Sequence, residues 1–374
     1  MKALEPTDSI TALPFNIKWG NRRAGLFLIC TLTAALALTA AAQTASFQRL
    51  GQMPGARFGT YASAISSDGS TILGYGWVSS SKVQAYRWTM AGKYQLLDSP
   101  GNSDFFGSGA LSSNGSVIVG ENPQSNQFAA FRWTAANGLM TLPQNIAAAV
   151  TADGSMVAGG DNWWKTSGQT GIFGPFPGQQ DQTEAFGLSP DGQVAVGAAI
   201  KGSDAFGPTV HAFQWTLSSG LQDLGLITGT QSSANAISAD GLVIVGQATD
   251  SSGFWRGFRW TAATGMQDIG TLGGPMSNAT AVNKDGTVIV GNSLTTSSSG
   301  SSHAFRWTAK TGMQDLRTAL QSAGVKTANK WVVLYTADGV SADGTVIVGF
   351  GLNPPTRQFP FGQWEPFRAV LPAP

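Results

Sequence analysis

The residues in this sequence with chemistry to offer are two histidines, a ladder of aspartates and a scatter of tryptophans. His211 and His303 are the only histidines, and each stands directly before an Ala-Phe pair, in HAFQW and HAFRW. They therefore occupy equivalent places in two separate repeats, whereas zinc gathers its ligands from adjacent strands or one helix turn. No CxxC, HExxH or third histidine accompanies them, so each is expected to form a local hydrogen bond. Aspartate or asparagine precedes glycine at Asp68, Asn114, Asp153, Asp191, Asp240, Asp285 and Asp343. A calcium loop alternates several oxygen ligands within one segment; each of these sites offers one carboxylate or amide, which suits turn capping. Gly107-Ser108-Gly109 lacks the spacing of a nucleophile elbow, and no histidine is placed to serve it. No glycine run leads into Lys-Ser or Lys-Thr before a helix, as a phosphate loop requires. The residues thus nominate no catalytic group, no metal ligand and no cofactor.

The tryptophans are the remaining lead. Trp88, Trp133, Trp215, Trp260 and Trp307 recur in one motif and are expected in the core between repeats. Trp163, Trp164, Trp255 and Trp364 fall in irregular or variable segments, where exposed rings stack on sugar faces or anchor a protein partner. These four are the ligand-binding candidates.

The elements that must position them are legible in the stretch from Ala234 to Gly270. An alanine-rich run, Ala234 to Ser238, leads into Asp240-Gly241, a hairpin signal because glycine accepts positive φ and aspartate bonds the turn backbone. Val243-Ile244-Val245 follows with no polar face, so this strand is expected to be covered on both sides. In Phe258-Arg259-Trp260-Thr261 the period of two puts Phe258 and Trp260 on one face and Arg259 and Thr261 on the other. After Thr264-Gly265, the more polar Met266 to Ile269 reads as an outer edge strand.

The Asp/Asn-Gly turn that follows the alanine-rich strand occurs seven times from Asp68 to Asp343, at a mean spacing of about 46 residues, the length of a four-stranded propeller blade. The expected fold is all-β, a seven-bladed propeller with blades near 52–98, 107–143, 147–180, 185–225, 234–270, 279–316 and 331–372. Blade three departs from the pattern: Gly171 to Phe176 is expected to replace its third strand, leaving Trp163-Trp164 in a loop. The insertion Leu316 to Lys330 before blade seven has helical spacing and a Gly324 stop. Serine-rich stretches such as Thr295 to Ser302 read as flexible connections. Pro366 to Leu371 matches the Phe-Arg-Trp strand and leaves the last blade short of an outer strand. Phe47 to Gly51 matches the Met-Gln-Asp-Leu-Gly strand and is expected to supply it, closing the ring.

HAFRWT at His303 to Thr308, GMQDL at Gly312 to Leu316 and SADGTVIVG at Ser341 to Gly349 together resemble the HAF-type extracellular repeat family of bacteria, over residues 46–372. The resemblance implies export and brings no catalytic residues, since the family has no established activity. Some similar proteins carry a C-terminal sorting tail or an autotransporter barrel; here neither is expected after Pro374.

Residues 1–42 read as a secretory signal on their own terms. Arg22-Arg23 precede the apolar run Ala24 to Leu38, which is too short to span a membrane, and the small-residue site Ala40-Ala41-Ala42 follows. The paired arginines leave Sec and Tat export both open. The one cysteine, Cys30, lies in this segment, so residues 43–374, the single repeat domain, must hold together without disulfides. Lys2, Lys18, Arg22, Arg23, Glu5 and Asp8 also lie there, so the 22 basic and 21 acidic residues become 18 and 19. So even a balance carries no basic stripe for nucleic acid or anionic membrane.

The function expected is that of an exported, noncatalytic binding or scaffold protein, extracellular or periplasmic, recognising a glycan or a protein through variable loops. The alternative is an extracellular propeller enzyme acting on polysaccharide or on a quinoprotein-like substrate, since TAATGMQD and TAKTGMQD resemble quinoprotein turns. N-terminal sequencing of the exported protein is expected to begin at Gln43; a mature chain retaining residues 1–42 would refute the signal.

Overall fold

A ring of seven antiparallel sheets, four strands each, is formed by the described residues of a computed structural model. These are residues 44–374 other than 81, 98–105, 125–126, 180–181, 205–206, 297–300 and 358. Residues 1–42, expected from sequence to be a secretory signal, and part of the serine-rich connection after Thr295 lie outside them. The chain forms a seven-bladed β-propeller, as the repeat spacing requires. In blade five the order is Ser232–Ile237, Ile244–Thr249, Trp255–Thr261 and Gly265–Asp268, from the channel outward. Because the strands alternate in direction, the Asp-Gly and Thr-Gly turns share one face of the ring, here the lower. The second-to-third strand loops and the blade-to-blade connections share the upper face.

The second strand packs on both sides, as its apolar run implies. Ile244 joins Val196, Ala212 and Phe258 on the blade-four side, while Val243 and Val245 join Ala279, Ile289 and Phe305 on the blade-six side. Trp88, Trp133 and Trp215 are buried, and Trp260 and Trp307 are half-buried against the same clusters.

The Asp-Gly turn does two jobs. Within its blade, Ser238 Oγ donates to Asp240 Oδ1 at 2.5 Å and accepts from Val243 N–H at 2.9 Å, and Asp240 Oδ1 accepts from Leu242 N–H at 3.0 Å. Blades one, four and seven repeat this lattice through Ser66, Ser189 and Ser341. Between blades, the turn glycine touches the blade before it in every blade but the fifth, where Gly241 has open space. All seven have φ between 70° and 74°, and a Cβ at Gly154 or Gly286 would lie 2.3 Å from Val117 or 2.2 Å from Val243. Glycine is thus required here for conformation and for space. The repeated arginine completes the joint: Arg132 Nε donates to the Gly154 carbonyl at 3.1 Å, and Arg87, Arg259 and Arg368 reach Gly115, Gly286 and Gly69 in the same way. Turn backbones also bond directly around the lower rim, Asp240 N–H to Lys284, Lys284 N–H to Ala342 and Ala342 N–H to Ser67.

Blade three corrects the expectation. Trp163 and Trp164 lie in its third strand, Asn162–Lys165, and Thr170–Ile172 is the fourth. The upper loop has collapsed to a hairpin at Gly160-Asp161, with Gly160 at φ 58°, so the third strand arrives early. Trp164 sits opposite Val157, the place Trp260 takes opposite Ile244. The insertion before blade seven forms a helix, Leu316–Ser322, capped by the Asp315 carboxylate on Thr318 N–H, and a 3-10 turn, Thr327–Lys330.

The ring closes through Ser46–Arg49, paired antiparallel with Trp364–Val370 so that Phe47 faces Ala369. Phe47 packs edge-on to Trp331 at 5.7 Å and stacks on Phe367 at 5.6 Å. Sequence reading missed the clamp at this seam. Glu365, only 3% exposed, accepts from Arg49 Nη2 at 2.6 Å, from Gly51 N–H at 2.9 Å and from the Asn353 amide. Deleting residues 43–55 is expected to lower the melting temperature markedly. Glu365→Ala, which strands a buried N–H and an amide, should cost about 2–3 kcal/mol in denaturant unfolding. An unchanged melt in the deletion would refute this closure.

Candidate functional site

The first strands line the channel, and in five blades the central residue is displaced by a bulge. In blades one, four, five, six and seven the register slips between Ala62 and Ala64, Ala185 and Gly187, Ala234 and Ala236, Ala279 and Ala281, and Ala337 and Gly339. The displaced residue stands three places before the turn's Ser, Thr or Asn. Counted through the repeats, this position holds Ser63, Gly109, Ala148, Phe186, Asn235, Thr280 and Asp338. Six of the seven line one central cavity of about 590 Å³. A repeat that is nearly uniform elsewhere therefore varies where it meets the channel.

The bulged side chains stitch blades together when they can donate. Asn235 Nδ2 donates to the Ala279 carbonyl at 2.8 Å, and Thr280 Oγ1 donates to the Ala337 carbonyl at 2.6 Å. Asp338 can make such a bond only as the protonated acid. Its Oδ1 accepts from Thr336 Oγ1 at 2.9 Å, while its Oδ2 is enclosed and has no partner. Burial pushes the Asp338 carboxyl up to about 7, against the opposing Thr336 hydrogen bond. Tyr75, on the same cavity wall, is raised to about 12 by burial, with Tyr61 and Asp338 adding to it.

Aromatic side chains lead from this cavity across blades one and seven. Tyr75 stacks on Tyr61 at 5.1 Å, Tyr61 meets Phe350 edge-on at 4.8 Å, and Phe350 stacks on Tyr335 at 5.8 Å. Trp364 stands edge-on to Tyr335 at 5.2 Å and to Phe350 at 5.7 Å. Tyr335, 37% exposed, also lines a second cleft of about 250 Å³ with Trp255, Met276, Asn278, Asn292 and Gln247.

Of the four candidate tryptophans, the structure brings Trp255 and Trp364 to this region, joined through Tyr335. Trp163 is 8% exposed and packs with Phe173, Phe176 and Phe213 beneath the Lys165 ammonium. Trp164 is half-buried against the blade-two cluster of Val117 and Val119. His211 Nδ1 pairs with Asp223 at 3.0 Å and His303 Nδ1 with Asp315 at 2.6 Å, local partnerships between third and fourth strands. The seven turn residues are engaged in their own turns: the Ser155 N–H, then hydroxyls, hold Asp153 down to about 2. Sequence reading missed Asp338, Tyr75, Tyr335 and Phe350. The signal for Asp338 was present in its repeat position, but Asp338-Gly339 imitates the turn dipeptide five residues ahead of the real one.

No protein-family model matches the chain, and no curated protein matches it. Among solved structures it is similar to an oligogalacturonate lyase in complex with manganese, at 11% identity and a TM-score of 0.54 over 87% of this chain and 93% of that one. It is also similar to a puromycin hydrolase variant, at 14% identity and a TM-score of 0.55 over 86% of this chain and 55% of that one. TolB from Acinetobacter baumannii aligns at 13% identity and a TM-score of 0.45 over 78% and 77%. At these identities the likeness extends to the propeller fold alone.

The Asp338 shift has a signed consequence. Its folded-state value lies above the unfolded one, so its contribution to stability is full below about pH 4 and is lost as pH rises through about 7. Asp338→Asn is therefore expected to gain a few kcal/mol over the parent at pH 8 relative to pH 5, read by denaturant unfolding at both values. An equal difference at the two pH values would refute the assignment.

Proposed function

We propose that this chain is an exported, noncatalytic binding protein of the HAF-type repeat class, and that it takes a neutral glycan in the Trp255 cleft. The observation that carries this reading is the composition of that cleft: two aromatic rings, Trp255 and Tyr335, with three side-chain amides, Gln247, Asn278 and Asn292, and no charged residue in the lining. Amides offer both a donor and an acceptor to sugar hydroxyls, and a ring face covers the apolar C–H surface of a pyranose. The volume of about 250 Å³ suits about one sugar ring.

The rival enzyme reading has one observation on its side, the buried Asp338 carboxyl in the channel. Hydrolysis of a glycoside by paired carboxyls needs the second group about 5–9.5 Å away. Among the described residues lining the cavity, Asp338 is the single acidic one, which favours binding over hydrolysis. No helix among the described residues is long and apolar enough to cross a membrane.

The purified protein is expected to bind a neutral polysaccharide from a panel of cell-surface and extracellular glycans, by calorimetry or affinity electrophoresis. Trp255→Ala should weaken that binding roughly tenfold, about 1.4 kcal/mol, while melting close to the parent. Trp163→Ala should instead cost about 3–5 kcal/mol of stability. No saturable binding across the panel, or full binding by Trp255→Ala, would overturn the proposal.

A further inference from the structure

We propose that the central channel is a binding site for an organic ammonium group, with the Asp338 carboxylate as its counter-ion and the rings of Tyr75 and Phe350 beside it. This site is separate from the Trp255 cleft and does not depend on the glycan reading. Among the described residues, the cavity of about 590 Å³ is lined by one acidic side chain and by no lysine, arginine or histidine. An enclosed carboxylate without a cation is costly, and the cost is relieved when a partner supplies the opposite charge and a donor. Asp338 Oδ2 has no hydrogen-bond partner among the described residues, so no neighbouring group balances the charge of the carboxylate.

The rest of the wall selects among donors. A divalent metal would require several oxygens at one point, and the lining provides a single carboxyl. A neutral polyol would require free hydroxyl or amide donors. Here the one Thr280 hydroxyl proton is given to the Ala337 carbonyl, and the Ser63 hydroxyl is directed at the Leu73 carbonyl. Aromatic faces, in contrast, attract ammonium and methylated ammonium ions. Tyr75, Phe350 and Phe186 all border the cavity, and Tyr61 braces the first two through ring contacts at 5.1 and 4.8 Å. A carboxylate flanked by rings, in a space too large for a bare ion, is complementary to an amine carried on an organic body.

The test is calorimetric titration of the purified protein with choline chloride and phenethylamine hydrochloride, alongside the uncharged tert-butyl analogue of choline. Choline and phenethylamine are expected to bind saturably and the uncharged analogue not to bind. Asp338→Asn should weaken choline at least tenfold and Phe350→Leu severalfold, both melting cooperatively, while Trp255→Ala binds choline as the parent does. Because the charge of choline does not titrate, its affinity should rise with pH and level off above about 7 in the parent, where Asp338 ionises, and be flat in Asp338→Asn. Tyr75, the other titratable group on the wall, stays neutral through this range. Failure of both amines to bind, equal binding of the uncharged analogue, or undiminished affinity in Asp338→Asn would overturn the proposal.

Discussion

The joint between neighbouring blades at the lower turn is the constraint from which the rest of the ring follows. Six of the seven turn glycines lie against the preceding blade, too close for a Cβ at Gly154 and Gly286, and Gly241 is the exception. The glycine carbonyl is then taken by the arginine of the preceding blade in four of the joints. The serine-aspartate lattice inside the turn holds that carbonyl in place. Four-stranded sheets twist and would otherwise slide over one another; a fixed polar joint at one rim sets the angle between blades, and apolar packing fills the wedge above it.

That division leaves freedom in two places. The upper loops range from the two-residue turn at Gly160-Asp161 to the long segment between Leu352 and Trp364. The bulged channel position ranges from Gly109 to Phe186 to Asp338. A bulge exempts its residue from the ladder and turns it toward the channel, so its identity can change without disturbing the sheet. The aromatic run of blades seven and one connects these two variable zones, and Tyr335 belongs to both.

The seam concentrates what is irregular. A ring made from one chain must join its ends, and here the joining strand brings Arg49 and Gly51 onto Glu365, a buried carboxylate with several donors. Phe47, Trp331 and Phe367 supply the apolar part of the same seam. Blade seven therefore carries the closure on its outer edge and, on its inner edge, the channel carboxyl of Asp338.

The sequence by itself determined the number of blades, the order of strands, the two-sided burial of Val243 to Val245 and the strand that closes the ring. Each of these is a local pattern repeated at a fixed period, and periodicity survives without knowledge of contacts. It also settled the turn aspartates and the two histidines as local partners, because those bonds run between residues close in the chain. Blade three escaped it, since a loop shortened to Gly160-Asp161 moved the strand out of its expected place and Asn162-Trp163-Trp164 replaced Phe-Arg-Trp. Only the tertiary structure decided the candidate site. Trp255 and Tyr335, from blades five and seven, line one cleft, Tyr75 and Asp338 line one cavity across the seam, and Glu365 finds Arg49 316 residues away. The half-buried state of Trp255 and the full burial of Trp163 are likewise properties of the assembled ring: neighbouring blades, distant in sequence, decide which side of each strand meets solvent.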